Sequence, residues 1–281
     1  LQRAMKESST IVQGADLLIG FGGYVSAPLY LSARRAKIPF LIHEANARPG
    51  WANRLGSLFT SYLAVAQPVS GTGFENALIT GIPLRSDVQS TLEHTTDWTI
   101  ARRSAKRELG FPEDEKLVVV LGGSQGSVAL NGVIQSALNV FDARWINVLH
   151  SCGSKNVLPE PSQHYRPVHY IHEMARAYLA ADLIIARSGA ITCSEANALS
   201  RYALFIPLPI GNGEQEVNAR SLIAQGRAEV VSQKNFTPEW LATHIDELME
   251  RSAARNVEGS YSDKDAAWKI ANYMESALEC R

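Results

Sequence analysis

The chain has 281 residues, 46% of them apolar and 20% charged, the composition of a globular protein with a sizeable core. Its formal net charge is −1 and its pI is near 6.7, which excludes a nucleic-acid footprint across the whole surface. The length is roughly that of two average domains, so two lobes with a cleft between them is the starting expectation.

The pattern along the chain is strand, glycine turn, helix, many times over. Residues 16–21 form a continuous apolar run ending in Gly20 and Phe21, expected as a strand buried on both faces. Gly22 and Gly23 break it, residues 27–36 follow as a helix, and residues 38–43 as the next strand, together a βαβ unit. Residues 61–66 and 76–81 extend the same sheet. The more polar residues 86–99 lack clear periodicity and suggest a linker. A second series then begins, with strands over 116–121, 145–150, 183–186 and 203–208, and helices over 131–141, 174–181, 192–199 and 217–225. Residues 239–251 and 265–278 are expected as closing helices. The fold class is therefore α/β, with two parallel-sheet lobes. No internal repeat or low-complexity tract interrupts it.

Three widely spaced cysteines, Cys152, Cys193 and Cys280, include no CxxC and no Cys/His cluster. They point to a reducing compartment and to neither a disulfide framework nor a zinc site. No apolar run approaches the ~18–20 residues of a membrane span, and no signal segment opens the chain. Starting at Leu1 and entering a buried strand within sixteen residues, the sequence is expected to be part of something longer.

Three strand ends carry small-residue turns that open helices: residues 20–24, residues 122–126 and residues 187–190. Glycine permits positive φ and close ligand approach, and a helix N-terminus favours phosphate. None of the turns has the Lys-Ser/Thr of a P-loop, and none gives the GxGxxG fingerprint with its ribose-binding acid. Each alone is also ordinary tight-turn chemistry. In series they suggest a phosphate-bearing ligand other than a dinucleotide. Glu195, in the second turn of the helix opened by the third loop, suits two ribose hydroxyls or simply the helix dipole. Arg85 suits a phosphate or an interdomain ion pair. His43 and Glu44 close a strand, where catalytic and capping groups both occur. His150, His164 and His169 lack metal-like spacing and are expected to be structural or solvated.

Six blocks then appear in order: residues 20–26 (GFGGYVS), 43–50 (HEANARPG), 81–85 (GIPLR), 122–126 (GGSQG), 187–195 (RSGAITCSE) and 207–215 (PLPIGNGEQ). Together they resemble the MurG family, bacterial N-acetylglucosaminyltransferases that convert lipid I to lipid II in peptidoglycan synthesis, and the last block resembles its actinobacterial branch. The resemblance implies a GT-B fold of two Rossmann-like lobes. Residues 1–85 would form the acceptor-binding lobe, with the C-terminal helix at 266–281 packing back on it. Residues 86–265 would form the UDP-GlcNAc-binding lobe. By position, Glu195 would hold the ribose, and Ala190, Ile191 and the helix start Thr192, Cys193 and Ser194 would cradle the nucleotide. Ile171 would sit against uracil, Ser124 and Arg85 would contact the diphosphate, and Gln215 would bind GlcNAc. Asn46 would face the sugar from the acceptor side, and His43 and Glu44 are the catalytic candidates there. The implied reaction is an inverting displacement by the muramoyl 4-hydroxyl, without metal or other cofactor.

The family's first Gly-Gly-Thr-Gly-Gly-His turn, with its candidate base, has no counterpart here, and Ala45 and Ile82 stand where the family usually has Gln and Asn. The acceptor lobe is therefore expected to be incomplete. A UDP-GlcNAc 2-epimerase, another GT-B UDP-sugar enzyme or a catalytically crippled donor-binding fragment remain open alternatives. The implied partners are UDP-GlcNAc, lipid I and the inner-membrane surface, with no nucleic acid, and the implied place is the cytoplasmic face of the membrane as a peripheral protein. Arg34, Arg35 and Lys37 beside Leu29, Tyr30 and Leu31 suit such a membrane contact or, equally, a solvated helix end with cations favoured by the dipole.

Overall fold

In a computed structural model, residues 2–69, 73–211, 213–255 and 258–279 are described. The chain divides into two compact units, residues 1–84 with 212–217 and 262–281, and residues 85–211 with 218–261. Asn212 of the sixth sequence block, Cys280, and the last two residues of the 266–281 segment lie outside the described residues.

Unit 1 begins with α1 (Gln2–Ile11), β1 (Leu18–Gly20), α2 (Ser26–Arg35), β2 (Phe40–Glu44), α3 (Trp51–Gly56), β3 (Leu63–Val65) and β4 (Leu78–Ile79). The four strands pair in the order β1-β2-β3-β4, all parallel. β2 is buried along its whole length, as a continuous apolar run in a parallel sheet should be. Tyr30, Ile38, Phe40, Ile42, Leu63, Val65 and Phe74 fill the core beneath the helices. Parallel pairing sends every strand the same way, so the turns after β1, β2 and β4 share one edge of the sheet.

Unit 2 carries α4 (Ser86–His94), α5 (Trp98–Glu108), β5 (Lys116–Leu121), α6 (Val128–Ser136), α7 (Leu138–Asp142), β6 (Ile146–Ser151) and β7 (Tyr165–Val168). It continues with α8 (Met174–Ala180), β8 (Leu183–Ala186), α9 (Ala190–Ala198), β9 (Ala203–Phe205), α10 (Glu214–Asn218), α11 (Arg220–Ala224), β10 (Ala228–Val230) and α12 (Pro238–Arg255). The last element, α13 (Ala266–Glu279), returns to unit 1, as does most of α10.

The six strands of unit 2 are parallel in the order β10-β9-β8-β5-β6-β7. From β5 the chain builds outward through β6 and β7, then crosses to β8 on the other side. The order therefore reverses between β5 and β8, and ligands in such sheets bind beyond the carboxyl ends of the strands at that point. The core of the unit is Val118, Val120, Leu130, Ile134, Phe141, Val148, Ile185 and Leu204, with Leu241, Ile245 and Leu248 of α12 packed on it. Each such side chain contributes about 1.5–3 kcal/mol by leaving water.

The expected linker at residues 86–99 is mostly helix. In α4 only Val88 and Leu92 are buried, one i, i+4 pair, so the apolar stripe is too narrow to register as a period. The side chain of Asp97 then caps α5, accepting from the Thr99 and Ile100 amides at 2.9 Å each. The single helix expected over 131–141 is two, meeting at Ala137, and that over 217–225 is α10 and α11.

Candidate functional site

Two of the three glycine turns flank the reversal in unit 2. β5 and β8 run in register, Leu121 opposite Ala186, and the Arg187 amide donates to Leu121 O at 3.2 Å. The turns 122–126 and 187–190 therefore leave the sheet side by side. Gly123 and Gly126 take φ of 87° and 75°, a conformation glycine adopts without strain. Ser124 stands exposed between them, and Ser127 caps α6 by accepting from the Leu130 amide at 3.4 Å. The third turn works differently. Gly189 has φ −64° and ψ 148°, an ordinary extended N-cap, and a Cβ there would meet only Thr192 Oγ1 at 3.9 Å. What the missing side chain provides at Gly189 is space before the amides of α9, not backbone freedom.

Glu195 lies one turn into α9 with 2% of its surface exposed. Its Oε1 is 2.9 Å from Arg85 Nε, an ion pair whose angles fall short of a hydrogen bond, so this oxygen keeps unused accepting capacity. Burial lifts the Glu195 carboxyl above the usual range, while Arg85 and the Tyr178 hydroxyl pull it part of the way back. For Arg85 burial works against the charge, but Glu195 and then Asp87 outweigh it and hold the guanidinium above its ordinary pKa. Asp87 stands 3.8 Å from Arg85 Nε and also accepts from the Ala175 amide at the start of α8. A buried carboxylate, an arginine and two glycine turns, the second opening the N-terminus of α9, thus face one edge of the sheet. That arrangement can hold a ribose diphosphate.

Of the other expected donor residues, Ala190, Thr192 and Gln215 are half-buried, and Ile191 is exposed. Cys193, Ser194 and Ile171 are buried, with the Cys193 thiol pushed up to about 12 by its surroundings. Gln215 sits on α10, in a segment that belongs to unit 1 rather than to the lobe where its sequence position placed it.

Sequence reasoning assigned no role to Arg187. Its guanidinium donates to Ile206 O, Pro207 O, Ser127 Oγ at 2.8 Å and Gln233 Oε1 at 2.6 Å, so it ties the cap of α6 to the third turn. Tyr178, buried on α8 and hydrogen-bonded to Glu195, was equally unread. Both are invisible to spacing, because their partners are distant in sequence.

In unit 1 the catalytic candidates separate. The Glu44 carboxylate accepts four hydrogen bonds: the Asn46 amide at 2.9 Å, Asn46 Nδ2 at 3.1 Å, the Gly50 amide at 3.0 Å and Asn53 Nδ2 at 2.8 Å. Both oxygens are engaged, and the group holds the 45–50 loop rather than waiting for a proton. His43 is 1% exposed and contacts Gly81 O and Thr80 Oγ1 through Nε2, while its Nδ1 has no partner. Burial keeps its pKa below the ordinary histidine value. Asn46 is half-buried on the loop that Glu44 organises. Of the expected membrane residues, Arg34, Arg35 and Lys37 are exposed, but Tyr30 is wholly buried, because Gly20 and Gly56 leave the space its ring occupies.

His150 is structural, between Tyr165 Oη at 3.0 Å and Asn131 Oδ1 at 3.1 Å. Among the described residues no group of three or more His, Cys, Asp or Glu is arranged to hold a metal ion. Among them, too, no helix is long and apolar enough to cross a membrane.

Comparison with known proteins agrees with this geometry. Residues 117–273 match the glycosyltransferase family 28 C-terminal domain, and residues 2–65 match the family's N-terminal domain. A UDP-N-acetylglucosamine--N-acetylmuramyl-(pentapeptide) pyrophosphoryl-undecaprenol N-acetylglucosamine transferase of Mycobacterium sp. (strain KMS) is 40% identical over 256 residues, covering 89% of this chain and 67% of the relative. The same-named protein of Clavibacter sepedonicus is 36% identical over 274 residues, covering 96% of this chain and 73% of the relative. The crystal structure of Acinetobacter baumannii MurG superposes with a TM-score of 0.73 at 28% identity, covering 98% of this chain and 78% of that one. A UDP-GlcNAc 2-epimerase from Methanocaldococcus jannaschii, at 14% identity and a TM-score of 0.62, shares the fold. Two parallel α/β units, two matching domains and relatives at this identity lead to one assignment: the chain belongs to the MurG branch of glycosyltransferase family 28, a family of GT-B hexosyltransferases.

Proposed function

We propose that the chain binds UDP-GlcNAc on unit 2 and transfers its N-acetylglucosaminyl group, with inversion, to the 4-hydroxyl of the muramoyl residue of lipid I. The observation that carries this reading is Glu195, a buried carboxylate with unused accepting capacity beside Arg85, at the reversal of a parallel sheet. Two ribose hydroxyls would donate to it. The diphosphate would meet the α9 amides at Ala190 and Ile191, the exposed Ser124, and Arg85 released from Glu195. Ile171 would back the uracil.

In the reaction the acceptor oxygen bonds to the anomeric carbon, the bond from that carbon to the β-phosphate oxygen breaks, and UDP leaves with the electron pair. Arg85, Ser124 and the dipole of α9 stabilise the charge that develops on the diphosphate. The hydroxyl proton passes to a base on the acceptor side. His43 is the candidate among the residues described, neutral and with Nδ1 unpartnered. The Phe21 ring lies beside it, with centroids 5.7 Å apart.

Exposed Arg34, Arg35 and Lys37 at the end of α2, near exposed Leu58 and a groove lined by Phe59 and Tyr62, support contact of unit 1 with the anionic cytoplasmic membrane face that carries the acceptor. Flotation with liposomes tests that contact, and equal recovery with neutral and anionic lipid removes it. For the donor site the test is calorimetric titration with UDP-GlcNAc. Saturable one-site binding, abolished in Glu195→Ala, is expected. A folded sample that binds nothing would sink the assignment.

A further inference from the structure

We infer that Asn53 and Tyr30 are positioning residues for the acceptor half of the reaction, acting through Glu44 on the 45–50 loop and through the first glycine turn. The inference rests on the reading of unit 1 as the acceptor unit and extends it to residues outside the six sequence blocks.

Asn53 is fully buried on α3 and stands at the centre of a polar chain. Its Nδ2 donates to Glu44 Oε2 at 2.8 Å, and its Oδ1 accepts from the Tyr30 hydroxyl at 2.7 Å. Burial raises the Tyr30 hydroxyl to about 12, so it stays protonated and fixes which end of the Asn53 amide turns toward Glu44. The remaining accepting capacity of Glu44 goes to the Asn46 side chain and to the Asn46 and Gly50 amides. Tyr30, Asn53 and Glu44, from three elements, thus form one relay whose last member, Glu44, holds the loop.

The same pair supports the neighbouring turn. Gly22 packs against Asn53 so closely that a Cβ there would lie 3.0 Å from Nδ2. The Gly22 carbonyl accepts from Ser26 Oγ at 2.6 Å, one helical turn before Tyr30. The Tyr30 ring stacks on Phe40, with centroids 5.3 Å apart, in space left by Gly20 and Gly56. A core built only for stability would do as well with apolar side chains at positions 30, 44 and 53, since burying a carboxylate costs solvation. This network spends its hydrogen bonds on a loop and a turn at the ligand-facing edge of the sheet, the pattern of support that holds a binding group within a fraction of an ångström.

The test uses the full chain as wild type, Asn53→Asp and Tyr30→Phe. Asn53→Asp keeps the shape but sets a second carboxylate against Glu44. Tyr30→Phe keeps the ring and removes only the hydroxyl. Three quantities are read: UDP-GlcNAc affinity, hydrogen exchange of the Asn46 and Gly50 amides, and kcat and KM for lipid I at saturating donor. In Asn53→Asp both amides are expected to exchange about tenfold faster or more, and KM for lipid I to rise by a similar factor. Tyr30→Phe moves both in the same direction by less, and donor affinity is unchanged in each. Wild-type exchange at Asn46 and Gly50 in both variants would overturn the inference, as would an unchanged acceptor KM. If Asn53→Asp does not fold, Tyr30→Phe decides. Failure of the wild type to bind UDP-GlcNAc would refute the donor assignment separately, because the exchange measurement needs no ligand.

Discussion

Replacing Glu195 with Gln separates a ligand-binding carboxylate from a structural one. The side chain keeps its shape and one carbonyl acceptor but loses its charge. A hydrogen bond to a charged group contributes about 1.5–3 kcal/mol, so losing one of the two expected ribose bonds and the charge on the other should cost about 2–3 kcal/mol. That is a weakening of roughly 30- to 150-fold in the UDP-GlcNAc dissociation constant. Stability should move differently. Burial raises the Glu195 pKa, which means that the ionised side chain is less comfortable in the fold than in water. Its partner Arg85 has a side chain 39% exposed overall, but Nε, which faces Glu195, and Nη2 are buried, so removing the carboxylate charge also gives up part of that pairing. The two effects oppose each other, so the thermal midpoint of Glu195→Gln near neutral pH should change little against that of the wild type. Calorimetry and thermal unfolding on one preparation read both quantities. Lost stability with unchanged donor affinity would refute the reasoning and make Glu195 a partner of Arg85 and nothing more.

The same carboxyl gives donor binding a pH dependence. Arg85, Asp87 and Tyr178 surround it, and its pKa in the fold lies above that of the unfolded chain. UDP-GlcNAc affinity should hold a plateau while Glu195 is ionised and fall with decreasing pH, starting above the usual carboxylate range. Glu195→Gln should lack that fall. His150 acts on stability instead: its pKa is lowered to about 4 by burial, so its contribution is complete above 6.5 and is lost as the pH falls toward 4. Urea unfolding should show about 2 kcal/mol less stability from this group near pH 5 than near pH 7.5, and His150→Gln should flatten that slope. Ser127→Ala removes the cap of α6 and should cost about 1 kcal/mol in the same assay. Arg187→Leu strands the groups that the guanidinium joins and should cost about 2–4 kcal/mol, with weaker UDP-GlcNAc binding because both flanking turns loosen.

The parts of the fold legible in the sequence are those whose signal is local. β5 and β8 are unbroken apolar runs that only a doubly covered parallel strand explains, and the glycines after β1 and β5 mark turns with positive φ. α4 has no legible period in the sequence because Val88 and Leu92 are its whole buried stripe. α1 and α5 are not legible as helices because their charged surfaces outweigh their apolar faces. In the site, Glu195 and Arg85 stood out by position within blocks, but their pairing spans more than a hundred residues and no spacing announces it. The strand-end place of Glu44 suits a catalytic or a capping role alike, and the resemblance makes it a catalytic candidate. Its four donors come from the loop after it and from α3, and only the folded chain shows that they saturate it. Asn53, Tyr30, Tyr178 and Arg187 share that property: each acts through a partner brought close by the sheet.

UDP release from UDP-GlcNAc, followed with and without lipid I and with the lipid product examined alongside, decides whether the chain is the proposed transferase. Release is expected to depend on lipid I, with a product extended by one β-linked N-acetylglucosaminyl group. UDP release without acceptor, conversion of UDP-GlcNAc to its 2-epimer, or tight donor binding with no transfer would each contradict it.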